Sequence, residues 1–472
     1  MQANVQKASF SIINLSRAQG DRRLDAEYYD PVYLRKIETL AKKKARTIKD
    51  VYDVKVFSGP FGSFFKSESY LSKGHPFIRI SDIKDIFLDK EQMVFVSDDD
   101  FEKLKKYQLS LSDIVFSKIG TVGRLSIITK EIGKVAISEN NIGLAFASKT
   151  EDTDKAYIAV FLLSDFGQKQ IFRMASGNVQ LKLNVSDIEN VLMPEATVEL
   201  KHALQEALNT VHTKLIQSKQ GYEEAEQMLL KEINLEGYKG TEEAISVRNF
   251  SEALADNRFD AEYWQPKYDE IEKKVSKVPQ EKLGDIVSAK KGIEVGSEAY
   301  AEEGKDFIRV SDFTIYGIED VEKKISDEHY EGLKENYKPK KGEVLFTKDG
   351  TIGISFALNE DVDAIVSGAF LRLKPKIKIN NNYLALVLNS FYCKAQIERM
   401  SGGAVIAHLK PESAMQVKIP MLSEQKQEEL AGKVLEALRL RKEAKELLEK
   451  AKRAVEIFVE KDEKEALGFL LS

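Results

Sequence analysis

Residues 198–233 form one run without proline, VELKHALQEALNTVHTKLIQSKQGYEEAEQMLLKEI. Leu204, Leu208, Val211, Leu215, Tyr222, Ala225 and Leu229 follow one another by alternating fours and threes, with Ser218 in the one polar slot. Two apolar positions in seven, flanked by charge, make the seam of a coiled coil. At about 1.5 Å per residue, a helix of roughly 33 residues spans about 50 Å. So narrow a stripe does not hold a helix in water by itself, and an apolar partner is required.

The partner is in the same chain. Residues 424–459 repeat the pattern at Leu430, Val434, Ala437, Ala444, Leu448, Ala451, Val455 and Phe458, with Arg441 as the polar exception. The shift that carries Leu204 to Leu430 carries each other member of the first seam onto a seam position of the second. Arg441 is expected to face a partner subunit or an acid across the seam. Matched helices separated by a globular span imply a duplicated chain. The alternative is that each helix lies on its own domain.

Shorter repeats fix where each copy begins. RRLDAEYYDP at 22–31 returns as NRFDAEYWQP at 257–266. These residue types suggest a packed corner, with aromatic rings buried at a helix end and the arginine and both acids paired around them. FIRISDI at 77–83 matches FIRVSDF at 307–313, and DIVFSKIGTVGRLSII at 113–128 matches EVLFTKDGTIGISFAL at 343–358. The second pair reads as a strand, a tight glycine turn and a returning strand. Each copy then carries one helix, near residues 157–174 and 383–400, a small-residue loop (RMASGNVQLKLN or RMSGGAVIAHLK), and a strand ending in Pro194 or Pro420. Residues 1–20 read as a strand or arm, echoed by ISVRNFSEAL in the linker at 234–256. The tail reads as a final strand or docking segment. The expected partition is a first mixed α/β domain at 1–197, a helix at 198–235, a linker and second domain at 236–421, a helix at 422–460 and a tail at 461–472.

Composition narrows the function. With 43% apolar and 31% charged residues the chain supports real cores and a solvated surface, and its short apolar runs fit no membrane span. It shows no secretory signal, so a cytoplasmic location is expected. A single cysteine, Cys393, excludes an internal disulfide and a cysteine-based zinc site. The net charge of −5 counts against nucleic acid, unless Glu-rich helices carry the acid and leave a basic face elsewhere.

Catalytic signatures are missing. The chain has no Asn/Asp-Pro-Pro-aromatic motif for base methylation, no dinucleotide fingerprint and no phosphate-cradling Gly-Lys-Ser/Thr loop. His75, His202, His212, His329 and His408 show no metal-ligand spacing. No cofactor or metal is therefore expected on this chain. What remains is recognition, which needs cations for phosphates and Arg, Lys, Asn, Gln and Ser for base edges on short rigid loops. In the first copy the candidates are Ser58, Gly59, Phe61, Ser63 and Lys66, then Lys118, Gly120, Thr121 and Arg124, then Asn178, Gln180 and Lys182. In the second they are Lys290, Lys291 and Gly292, then Lys348, Gly350 and Thr351, then Ser401, Gly402, Gly403, His408 and Lys410. Gly123 and Gly353 are expected to serve turn geometry alone. The loops differ between copies while the framework repeats, as a protein reading two different half-sites requires.

The DAEYY/DAEYW corners, the Lys-x-Gly-Thr-x-Gly turns, the Met-x-Ser-Gly and Met-Ser-Gly loops and the LSEQKQEEL entry into the second helix together resemble the DNA specificity subunits of type I restriction–modification systems. The resemblance covers almost the whole chain. It implies an α+β fold with two mixed α/β target-recognition domains, separated by two long antiparallel coiled-coil helices in a pseudo-twofold duplication. It implies that the protein itself is non-catalytic and binds double-stranded DNA, each domain reading one half of an asymmetric split site, with helix length setting the gap. It also implies two methyltransferase subunits, which would bind S-adenosylmethionine, and restriction subunits as partners. A recognition subunit of a type IIB-like system and a coiled-coil adaptor that binds only protein are the alternatives. Neighbouring genes separate the first, and retention on duplex DNA the second.

Overall fold

Both long runs are helical without a break, at Val198–Glu232 and Glu424–Glu460. The computed structural model of the chain describes residues 10–21, 23–61, 69–177, 180–241, 245–401 and 408–472. The chain falls into two compact units, Met1–Thr213 with Glu443–Ser472, and Lys214–Lys442. Each unit therefore takes part of each long helix.

Within the second unit the helix segments run antiparallel. Ser218 is fully buried and donates its hydroxyl to the Ala437 carbonyl at 2.7 Å. Lys433 pairs with Glu224 and Lys426 with Glu232, each at 3.1 Å, so numbers fall on one helix as they rise on the other. Tyr222, Ala225, Leu229, Leu430, Val434 and Ala437 join the core of this unit. Arg441 finds an acid on the domain. Its Nε donates to Glu319 at 3.0 Å, and its guanidinium lies 4.4 Å over the Tyr316 ring. In the first unit Leu204, Leu208, Val211, Ala444, Ala451, Val455 and Phe458 are buried, which is the remainder of the expected seam apart from partly exposed Leu215 and Leu448.

The two domains repeat one plan. In the first, an antiparallel sheet orders Val54–Ser58, Asn141–Phe146, Ile114–Ser117 and Leu125–Ile127. A second sheet orders Val94–Val96, His75–Ile78, Val135–Ile137 and Gln108–Leu109, its middle pair parallel. In the second domain the corresponding sheets order Val287–Lys291, Phe370–Pro375, Val344–Thr347 and Ser355–Ala357, and Tyr300–Ala301, Lys324–Ile325, Lys305–Ile308 and Ala364–Val366. Lys305–Ile308 and Ala364–Val366 again pair in parallel.

Hydrogen bonds repeat as well. The Tyr157 hydroxyl donates to the Pro194 carbonyl and the Tyr383 hydroxyl to the Pro420 carbonyl, both at 2.7 Å. The Gln170 amide pairs with both backbone groups of Leu192, and Gln396 does the same with Lys418. Each domain also hands a helix-end N–H to a long helix: Asp165 N–H to Glu456 and Phe391 N–H to Glu226, both at 3.0 Å. These bonds satisfy donors that a helix start leaves orphaned.

Three local expectations are corrected. The single helix near 157–174 is two, Asp152–Leu163 and Asp165–Met174, and its counterpart is Asn381–Asn389 and Phe391–Ser401. Ser164 and Ser390 break them, each turning its hydroxyl onto a carbonyl three residues back at 2.6 Å. The N-terminal arm holds a helix, Leu15–Asp21, and its echo is Phe250–Asp256, started by a capping box between Asn249 and Glu252. The tail is the helix Glu463–Leu471, capped by Asp462.

Candidate nucleic-acid interface

Each DAEY corner is an anchor for the third loop. In the first unit the Arg23 guanidinium forks onto Asp25, with both N–O distances 2.6 Å. It also donates to the carbonyls of Met174 (3.2 Å) and Ala175 (3.3 Å), where a helix leaves its last acceptors unpaired. The Tyr28 ring lies between Arg23 and Arg173, at 4.8 and 3.7 Å. In the second unit Arg258 forks onto Asp260 (2.6 and 2.5 Å) and reaches the Met400 carbonyl at 3.3 Å. The Tyr263 ring lies 4.5 Å from both Arg258 and Arg399. The next aromatic closes the turn in both, Tyr29 Oη at 3.2 Å from the Arg23 carbonyl and Trp264 Nε1 at 2.9 Å from that of Arg258. Only one acid of each corner pairs with the arginine; Glu27 and Glu262 are exposed, which corrects the expectation that both would. The arginines hold the Asp25 and Asp260 carboxyls below their ordinary range.

In the first unit the candidate loops converge on residues 138–141, a segment that the sequence patterns passed over. Gly59 N–H donates to the Asn141 carbonyl (3.1 Å), Lys118 N–H to that of Asn140 (3.0 Å), and Leu183 N–H to that of Lys118 (2.9 Å). The Lys118 ammonium donates to Ser58 Oγ at 2.9 Å. Ile119 and Lys182 bridge, which brings the hairpin tip against the third loop. Ser58, Gly59, Lys118, Gly120, Gln180 and Lys182 thus come together, and Gln180 and Lys182 are exposed.

The second unit builds the same junction on residues 367–370. Gly292 N–H donates to the Phe370 carbonyl (3.0 Å), Lys348 N–H to that of Ala369 (2.8 Å), and Leu409 N–H to that of Lys348 (2.8 Å). Asp349 and His408 take the places of Ile119 and Lys182 in the bridge. Their side chains change the chemistry. Asp349 binds the Lys348 ammonium on one side and the His408 ring on the other. Lys348 is consequently 2% exposed, where its counterpart Lys118 is half-buried. The expected basic hairpin tip is in this unit a lysine turned inward under a carboxylate.

The other candidates separate by environment. A Cβ on Gly59 or Gly292 would collide with the carbonyls of Ser138 and Ser367, so the protein's own backbone demands glycine there. Gly120 and Gly350 have φ of 77° and 70°. The Thr121 and Thr351 carbonyls are held by the hydroxyls of Ser117 (2.8 Å) and Thr347 (2.6 Å). Arg124 is half-buried, Lys290, Lys291 and Lys410 are exposed, and Phe61 is 100% exposed. Ser63, Lys66, Asn178, Gly402 and Gly403 lie outside the described residues, as does the side chain of Ser401, the last residue of its helix. Arg79 and Arg309 sit beside the two junctions and were not among the candidates. The signal was available, since both stand in the duplicated Phe-Ile-Arg-(Ile/Val)-Ser-Asp run.

Among the described residues no group of three or more His, Cys, Asp and Glu could hold a metal ion, and no helix is long and apolar enough to cross a membrane. Cys393 is fully buried, and burial pushes its thiol up, away from the reactive thiolate.

The model of the type I restriction modification DNA specificity domain matches residues 41–194 and 276–447, more than half of the chain. The type I restriction enzyme MjaVIII specificity subunit of Methanocaldococcus jannaschii is 24% identical over 191 residues, 40% of this chain and 44% of that protein. A second protein of that organism, assigned as the MjaX specificity subunit, is 27% identical over 145 residues, 29% of this chain and 32% of its own length. The chain thus spans less than half the length of either of these curated relatives. The crystal structure of a type I restriction–modification S subunit from M. genitalium covers 88% of this chain and 94% of its own at 15% identity and a TM-score of 0.37, too low to add weight. Two copies of one matching domain, each with its own loop junction, place this chain in the family of type I restriction–modification DNA specificity proteins.

Proposed function

We propose that this chain is the non-catalytic recognition subunit of a type I restriction–modification enzyme. Each unit reads one half of a split, asymmetric site in double-stranded DNA through its junction of three loops. The paired long helices set the gap between half-sites and, with the domains, dock two methyltransferase subunits that carry S-adenosylmethionine; restriction subunits complete the nuclease. Such an assembly works on the DNA of its own cell, in the cytoplasm.

The observation that carries this reading is the contrast between a repeated frame and unlike junctions. The corner forks, the Tyr–Pro bonds and the Gln–backbone pairs recur, while Ser58, Lys118, Ile119 and Lys182 are answered by Lys291, Lys348, Asp349 and His408. A frame that repeats holds the readers, and contacts that differ select different bases. Sequencing DNA methylation in the host with and without this gene tests it. A methylated motif of two unlike halves around an unread gap is expected to vanish with the gene; a continuous motif, or no change, contradicts the proposal.

A further inference from the structure

Arg79 and Arg309 directly follow strands His75–Ile78 and Lys305–Ile308. Asp82 accepts the backbone N–H of Arg79 at 2.8 Å and grips its guanidinium through Nε (3.2 Å) and Nη2 (2.8 Å). Asp312 does the same to Arg309, at 2.9, 3.3 and 3.1 Å. Both aspartate side chains are only 3% exposed, while the arginines keep 34% and 28% of theirs at the surface. Glu322 also touches Arg309, at 3.2 Å.

This arrangement exceeds what the turn needs. Asp82 and Asp312 already cap their one-turn helices by accepting the backbone N–H, and that bond requires no arginine. The fork instead fixes a long cationic side chain in advance of binding, so a ligand need not order it. The location is also specific. The carbonyls of Ile78 and Ile308, one residue before each arginine, accept the N–H of Ser138 and Ser367, where each loop junction starts. The loops around the junctions differ between units, but the arginine, its aspartate and their geometry do not. Bases differ between two half-sites, whereas phosphates are the same under both.

We propose that Arg79 and Arg309 are the phosphate-anchoring residues of the two units, one for each half-site, setting register on the duplex without choosing bases. This rests on the DNA-recognition reading above. In the second unit a phosphate would take the place that Glu322 now holds against Arg309.

The test uses the full-length chain with its methyltransferase subunit and a fluorescent duplex of mixed sequence, because an anchor to phosphate needs no target. Affinity is measured across about 50 to 200 mM salt. Arg79→Gln and Arg309→Gln are each expected to lower the slope of log affinity against log salt by about one and to weaken all duplexes alike, leaving the methylated motif unchanged. Arg79→Lys keeps charge and loses the fork; it is expected to keep the slope and lose affinity. In the glutamine variants, slopes equal to wild type or a changed motif overturn the anchors, as does full affinity in Arg79→Lys. Should the glutamine variants unfold in a melting experiment, Arg79→Lys decides by itself. Absence of salt-dependent binding by the wild type overturns the recognition reading, and the anchors with it.

Discussion

Arg23 and Arg258 do two jobs with one guanidinium: each neutralises an aspartate and holds the carbonyls at the base of the third loop. Because the pairing holds Asp25 and Asp260 below their ordinary range, its contribution is fully present above the unfolded-state value of about 3.9. It is lost as pH falls through the lower folded value. Both carboxylates are over a third exposed or close to it, so the effect is modest. Thermal melts from about pH 6 to pH 3 should show Asp25→Asn less stable than wild type at the upper end and converging with it at the lower; a constant gap would contradict the assignment. Lys118 carries a separate expectation. It reaches Ser58 across the first junction, whereas its counterpart in the second, Lys348, is buried. Lys118→Ala should weaken binding by about tenfold, on the order of one direct contact, with footprint protection lost at one half-site only. Equal loss at both would contradict it.

At the scale of elements, the repeated frame tolerates one exchange in its core. In the second unit Arg372 and Glu343 form a buried fork, both N–O distances 2.9 Å, with side chains 3% and 9% exposed. In the first unit the sheet position that pairs with Val115, as Arg372 pairs with Leu345, is Gly143, whose absent Cβ leaves room for the Phe57 ring. Arg372→Ala strands a buried carboxylate and should cost about 3–5 kcal/mol in denaturant unfolding. A loss under about 1 kcal/mol would mean that Glu343 finds water. Ser218→Ala should cost no more than about 1 kcal/mol, because Ala437 lies within a helix whose own ladder also uses its carbonyl. A much larger loss in the same unfolding experiment would show that the hydroxyl fixes helix register.

Elements were legible where the chain says the same thing twice or at one period. The long helices declared themselves by spacing, and the strand–turn–strand pairs by their duplicated glycines. The helix breaks at Ser164 and Ser390 were hidden, because apolar residues continue on both sides and only a serine's hydrogen bond marks the corner. The helices at Phe250–Asp256 and Glu463–Leu471 did carry readable caps, Asn249 with Glu252 and Asp462, which the apolar pattern around them obscured. The junctions were half legible. Loop lysines and glycines could be named from the chain, but the inward turn of Lys348 depends on Asp349 and on a histidine far along the sequence. The convergence on residues 138–141 and 367–370 depends on backbone bonds that no side-chain pattern records.

At the scale of the molecule, the proposed function makes the paired long helices set the gap between the two half-sites. The most direct measurement is the methylated motif after one heptad is inserted into both long helices at matched seam positions, so that every seam contact is kept. Seven residues add about 10 Å of helix, or about three base pairs at 3.4 Å each. Both half-site sequences should persist with the gap between them longer by about three base pairs. A gap that stays at its original length, in an enzyme that still methylates, would contradict the account.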